Sequence, residues 1–226
     1  MRTLLHMPFD PPSRMVRLVL AEKGLAARLV ESPPWKDDPS LAAANPARSI
    51  PVLLDAPPTG GEIAVSPALA IAEYLEEAYP VSPLLPATSA GRAEVRRLVW
   101  WFEMKFEREV NAVLSRQRID ARLAGRLQYD RAAWLAGCEA MRWHLDYVSW
   151  LLENRAWLVG EKMTLADLAA AAHLSVNDYI GAVPWAEFPL VKDWYQSIKC
   201  RPAFRPLLAE RVEGLPAPSH YADLDF

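Results

Sequence analysis

The stretch Ser49-Ile50-Pro51-Val52-Leu53-Leu54-Asp55 is a short apolar run entered through a proline. Proline has no N–H to give a sheet ladder and is tolerated where a strand begins, so residues 50–55 are predicted as a strand. The turn Pro57-Pro58-Thr59-Gly60-Gly61 leads to a second short strand over 62–65. Ser66-Pro67 then opens a helix to about residue 78, a hydroxyl N-cap followed by proline at the first helical position. Toward the N-terminus, Thr3-Leu4-Leu5-His6-Met7 and Ala27-Arg28-Leu29-Val30-Glu31 read as strands. Between them Ser13 is a candidate N-cap and Gly24 a candidate stop for a helix, the length of a crossover joining parallel strands. Residues 32–47 read as a proline-rich loop with one alanine-rich helical turn. The order is strand-helix-strand, then strand-strand-helix, one α/β domain over residues 1–79.

Toward the C-terminus the pattern changes. Residues 80–91 are proline-rich and read as a linker, and residues 92–210 as an all-helical domain. Val95, Leu98, Val99, Phe102 and Phe106 recur at helical spacing. A second helix is predicted over 130–154. A third starts at the capping pair Thr164 and Asp167 and keeps Leu165, Leu168, Ala172, Val176 and Tyr179 on one face. Shorter helices are predicted over 188–199 and 203–210. Residues 211–226 carry no period and read as a tail.

Composition narrows the classes. A chain of 226 residues, 52% hydrophobic and 23% charged, has the apolar content of a globular protein and not of a disordered one. Its net charge of −3 supplies no global basic field for a nucleic-acid backbone. Cys138 and Cys200 stand alone, without zinc or redox spacing, and suit a reducing cytoplasm. No apolar run has the length of a membrane span, and Asp10-Pro11-Pro12 interrupts the region a signal peptide would use. His6, His144, His173 and His220 share no metal spacing; His144 and His173 read as core groups with one hydrogen bond each.

The domain order, with Ser49-Ile50-Pro51-Val52-Leu53, the run Ser66-Pro67-Ala68-Leu69-Ala70-Ile71-Ala72-Glu73-Tyr74-Leu75 and the segment Gly160-Glu161-Lys162-Met163-Thr164-Leu165-Ala166-Asp167, resembles the glutathione transferase superfamily over about residues 1–208. The resemblance implies a thioredoxin-like α/β N-terminal domain, a cis bond before Pro51, an all-α C-terminal domain and a ligand cleft at Asp10, Ser13, Ile50, Pro51, Val65 and Ser66. It also implies a Ser, Cys or Tyr that donates to the glutathione thiolate after the first strand. The Ser/Cys position falls on Asp10, and the second position of a redox pair falls on Ser13. Neither is a thiol, which removes disulfide exchange. A carboxylate accepts hydrogen bonds and gives none. At 4 Å from a thiolate it would cost about 4 kcal/mol at an effective dielectric near 20, pushing the thiol's pKa up. Where the family has an acidic residue before serine, this chain has Val65-Ser66, so the ligand's ammonium loses an interaction of about 1.5–3 kcal/mol if buried. Serine at 66 is equally explained as an N-cap. The alternative is an active transferase or isomerase of the zeta- or beta-like kind in which Ser13 supplies the hydroxyl.

Within the superfamily, Met1-Arg2-Thr3-Leu4, Trp143-His144-Leu145-Asp146-Tyr147, Ala169-Ala170-Ala171-Ala172-His173-Leu174-Ser175 and His220-Tyr221-Ala222-Asp223-Leu224-Asp225-Phe226 resemble the FtsZ-binding, transferase-like proteins of bacterial cell division. This implies a non-catalytic homodimer without cofactor or metal, cytoplasmic at the division site, that binds FtsZ filaments, alters their curvature and supports constriction. Candidate partner contacts follow. Trp35, in a polar loop, is either a cover for the domain interface or an exposed anchor. Arg116, Arg118, Arg122 and Arg126 face one acid, Asp120, an excess suited to an acidic filament. Tyr221, Asp223, Asp225 and Phe226 are either a strap on their own domain or a docking segment, for FtsZ or another division protein. Trp100, Trp101 and Phe102 span more than one helix face, part core and part dimer contact.

Overall fold

The computed structural model describes residues 2–57, 60–126 and 130–225. Its first compact unit, Met1–Leu85, is built on a four-stranded sheet in the order β2-β1-β3-β4. β1 (Arg2–His6) and β2 (Ala27–Glu31) run parallel, joined through helix α1 (Pro11–Glu22). β3 (Val52–Asp55) is antiparallel to β1, and β4 (Ile63–Val65) to β3. Neighbouring strand residues face opposite sides of a sheet. Leu5 therefore packs with Val52 and with Leu41 of helix α2 (Pro39–Ala44), leaving Leu4 to the other side. α1 packs on helix α3 (Ala68–Ala78), burying Met15, Val16, Val19, Ile71, Ala72 and Leu75.

Several boundaries in this unit differ from the sequence prediction. Asp10, not Ser13, is the N-cap of α1: its carboxylate accepts the Ser13 N–H at 2.9 Å, which places Ser13 in the first turn. β3 starts at Val52, because Pro51 has no N–H for the ladder. α3 starts at Ala68, and Ser66 makes no capping bond to it. The Ile50–Pro51 and Ser66–Pro67 peptide bonds are both cis. At the far end of α1 the buried Lys23 ammonium donates to the Tyr79, Val81 and Ser82 carbonyls and pairs with Glu76 at 2.8 Å. Proline-rich residues at the start of the expected linker are thereby fastened to the first unit.

The second unit, Pro86–Phe226, is helical. α4 (Ser89–Trp100) is capped by Thr88 and continues through Trp101–Asn111 in wider π-helical turns, with Val95, Leu98, Val99, Phe102 and Phe106 buried as the spacing predicts. A shorter stretch, Arg116–Asp120, runs into α5 (Ala121–Leu123). α6 (Arg131–Leu152) is capped by Asp130. α7 (Leu165–Tyr179) opens with the predicted Thr164 and Asp167 capping box. Every residue of α7 is buried, so it is the central helix of the unit and not one with a single inward face. α8 (Pro189–Lys199) and α9 (Arg205–Leu208) follow. α9 is shorter than predicted, since Pro202–Phe204 form a separate 3-10 turn ahead of it.

Candidate functional site

Strand register gathers the predicted cleft residues at one end of the sheet. Leu5 lies opposite Val52, and Leu53 opposite Val65. The chain after β1, the entry to β3 and the exit from β4 therefore meet there, bringing Asp10 and Ser13 toward Ile50, Pro51, Val65 and Ser66. Pro51 is buried; Ile50, Val65 and Ser66 are half-buried.

The decisive geometry is at the start of α1. Ser13 Oγ donates to Asp10 Oδ2 at 2.6 Å and accepts the Met7 N–H at 3.4 Å, while Ser13 N–H donates to the same Asp10 oxygen. A serine hydroxyl has one proton. That proton is committed to Asp10, and Ser13 itself is 0% exposed. Asp10 is also buried and caps a helix N-terminus, where the peptide dipoles favour a carboxylate. The pair is a closed structural cap. The Ser13 hydroxyl therefore has no second proton to offer a ligand.

The partner candidates separate into groups. Trp35 is half-buried in the loop between β2 and α2. The arginines are engaged within their own unit. Arg116 pairs with Glu107 and, at 2.8 Å, with Asp120. The Arg118 guanidinium lies 4.9 Å from the Trp134 ring centroid. Arg122 Nε donates to the Glu213 carbonyl. The tail is a strap over much of its length. Tyr221 is fully buried, its ring edge-on to Tyr179 and its hydroxyl donating to Leu207 O at 3.1 Å. This corrects its assignment as a partner contact: a side chain with no exposed surface serves the strap. Asp223 and Asp225 are exposed, and Phe226 lies outside the described residues.

His144 and His173 each make two hydrogen bonds, not one. Trp101 Nε1, which can only donate, lies 3.0 Å from His144 Nδ1, so His144 carries its proton on Nε2 and gives it to Glu109 at 3.1 Å. Burial holds the His144 pKa down at about 4. Burial alone would raise the Glu109 pKa, but hydrogen bonds from Lys105 and Arg108 bring it to about 2. His173 sits between Asn111, at 2.7 Å from Nδ1, and Glu103, at 3.3 Å from Nε2. Among the described residues no group of three or more His, Cys, Asp or Glu is placed to hold a metal ion, and no helix is long and apolar enough to cross a membrane.

Residues 4–83 match the family of the glutathione S-transferase N-terminal domain, and residues 125–202 that of the C-terminal domain. The chain belongs to the glutathione S-transferase family. The FtsZ-localized protein A of Caulobacter vibrioides is 46% identical over 100% of this chain and 98% of its own. Two solved transferase-fold structures superpose closely. FzlA from C. crescentus has a TM-score of 0.94, 46% identity and coverage of 100% and 99%. A glutathione S-transferase from Rhodospirillum rubrum F11 has a TM-score of 0.93, 45% identity and full coverage of both chains.

Within this glutathione S-transferase fold, sequence reasoning missed the residues that hold the strap. Tyr179 and Asp178, at the end of α7, take up hydrogen bonds from Val212 and His220. Lys199 donates to the His220 carbonyl at 2.8 Å, and Gln196 to that of Leu224 at 2.7 Å. Gly214, with φ +67, was the one local signal, marking a backbone turn inside an otherwise unpatterned segment.

Proposed function

We propose that this chain is a transferase-fold protein that associates with FtsZ at the division site and does not conjugate glutathione. The association rests on full-length likeness to FtsZ-localized protein A, and the loss of chemistry on one observation: the Ser13 hydroxyl beside the catalytic position is buried and already donates to Asp10. The same observation stands against Ser13 as a replacement thiolate donor. The protein acts as a homodimer whose binding alters filament curvature and supports constriction, as the resemblance to the FtsZ-binding branch implies. Asp223 and Asp225, exposed at the end of the strap, are the acidic groups available there to FtsZ or a second division protein.

Co-sedimentation with FtsZ polymers tests the association, and electron microscopy of the pellets reads curvature. The full chain is expected to pellet with polymer and to stay in the supernatant without it. A protein that stays in the supernatant at every FtsZ concentration overturns the reading. So does turnover of an aryl halide with glutathione at ordinary transferase rates.

A further inference from the structure

We infer that Arg122 is a clasp that couples the arginine-rich segment to the C-terminal strap, so that the two loosen together. The strap enters through a turn built around one hydroxyl. Val212 N–H donates to Tyr179 Oη at 2.7 Å, Tyr179 Oη donates to Leu215 O at 2.7 Å, and Leu215 N–H closes the turn on Val212 O at 3.0 Å. Arg122 holds the same turn through a second contact: its Nε donates to Glu213 O, a charge-assisted bond. The guanidinium also occupies the space beside Gly214. A Cβ there would collide with Arg122 Nη2 and lie 2.9 Å from Cζ. Glycine at 214 thus answers two demands, the positive φ of the turn and the close approach of the arginine.

The rest of the strap is held elsewhere. His220 binds Asp178 at 2.9 Å, Lys199 and Gln196 bind strap carbonyls, and Tyr221 binds Leu207 O. These anchors sit on α7, α8 and α9, so the distal strap has hydrogen bonds of its own, none of which involves Arg122. On the other side of the clasp, Arg122 belongs to a segment whose turns close through Gly125 N–H on Arg122 O at 3.0 Å and Arg126 N–H on Ala121 O at 2.6 Å. One guanidinium therefore ties a surface segment to a terminal one, and a ligand that takes over Arg122 Nε must release Glu213. Because coupling between two sites is reciprocal, disturbing either side is felt on the other.

Native-state amide hydrogen exchange on the full chain tests the clasp. In Arg122→Ala the Val212 and Leu215 amides are expected to exchange about tenfold faster or more, while Tyr221 and Asp223 amides keep wild-type protection. Gly214→Ala, which evicts the guanidinium from the other side, is expected to deprotect Val212 and Leu215 and also Gly125 and Arg126. Arg122→Lys, which keeps one charged donor without the fork, is expected to fall between wild type and Arg122→Ala. Wild-type protection of Val212 and Leu215 in Arg122→Ala overturns the proposal. Loss of protection through Tyr221 and Asp223 in that variant overturns it as well, since the strap would then release as one piece. An effect of Gly214→Ala that stops short of Gly125 and Arg126 overturns the coupling.

Discussion

At the level of single residues, the proposed loss of transferase chemistry turns on the hydrogen bond from Ser13 to Asp10. A thiolate needs a donor pointing into the cleft, and here the hydroxyl points at a carboxylate 2.6 Å away. Ser13→Ala would strip Asp10 of the bond from the Ser13 hydroxyl while leaving the backbone cap, costing about 1–3 kcal/mol in a denaturant titration. Glutathione turnover is expected to be at background in both proteins; a wild-type rate that Ser13→Ala abolishes would contradict this. Histidine burial makes a separate prediction. Burial, reinforced by the charge of Arg17, holds His6 at about 4, and burial holds His144 at about 4, against an ordinary value of 6.5. Between those values the unfolded chain binds more protons than the folded one. Stability from these groups is therefore full above pH 6.5, falls as the pH drops toward 4 and levels off below that. Each histidine contributes at most a few kcal/mol over that window. Urea midpoints measured across it should decline, and His144→Gln should remove about half of the decline.

Helices in this protein are specified by their ends and by close approaches. The Thr164 and Asp167 capping box was legible in the sequence and is formed, with Asp167 also accepting from Leu158 N–H and Trp194 Nε1. Thr164→Ala is expected to cost about 1–2 kcal/mol, read as a lower denaturation midpoint at unchanged slope. Gly137, inside α6, carries a different constraint. A Cβ there would lie 2.5 Å from Val113 Cγ2 and 2.8 Å from Leu114 Cδ2, so Gly137→Ala should destabilise by about 1–3 kcal/mol although alanine is the better helix former. No periodicity argument distinguishes Gly137 from a tolerated glycine, because the atoms it makes room for lie in another element. The same reason explains the strap. Asp130 and Thr164 act on the residues beside them and can be read locally. Tyr179 acts on Leu215, 36 residues away, and nothing near either one announces the pairing. Asp10 was legible as an odd residue at a catalytic position, but its role as the cap of α1 was given to Ser13. Both residues are good N-caps, and only the folded turn decides between them.

At the scale of the whole molecule, the apolar surface of the helical unit argues for a partner of the same kind. Trp101 stacks on Trp143 with centroids 5.6 Å apart and lies 4.6 Å from Tyr147, which in turn stacks on Trp150 at 6.0 Å. Lys105 covers part of this run, its ammonium 4.7 Å from the Trp143 centroid. The remainder is open: Trp100 and Trp150 are each 58% exposed, Met104 55% and Trp143 51%. Scattered exposed aromatics are ordinary, but a contiguous band of them on two packed helices is the composition of an interface core. A twofold axis through such a band places each copy's tryptophans against the other's, which satisfies both surfaces with one contact. The Arg97–Glu94 and Lys105–Glu109 ion pairs lie beside it, as a polar rim would in such an interface. Trp150→Glu puts a charge on this exposed aromatic run while leaving the buried face of α6 intact. It is expected to weaken self-association by about 30-fold or more, the equivalent of about 2 kcal/mol. Sedimentation velocity over a concentration series would show the wild type as a dimer and the variant shifted toward monomer, with circular dichroism confirming an unchanged fold. A variant that sediments as the wild type does at every concentration would move the dimer contact off this face. A wild type that is monomeric throughout would remove the homodimer altogether.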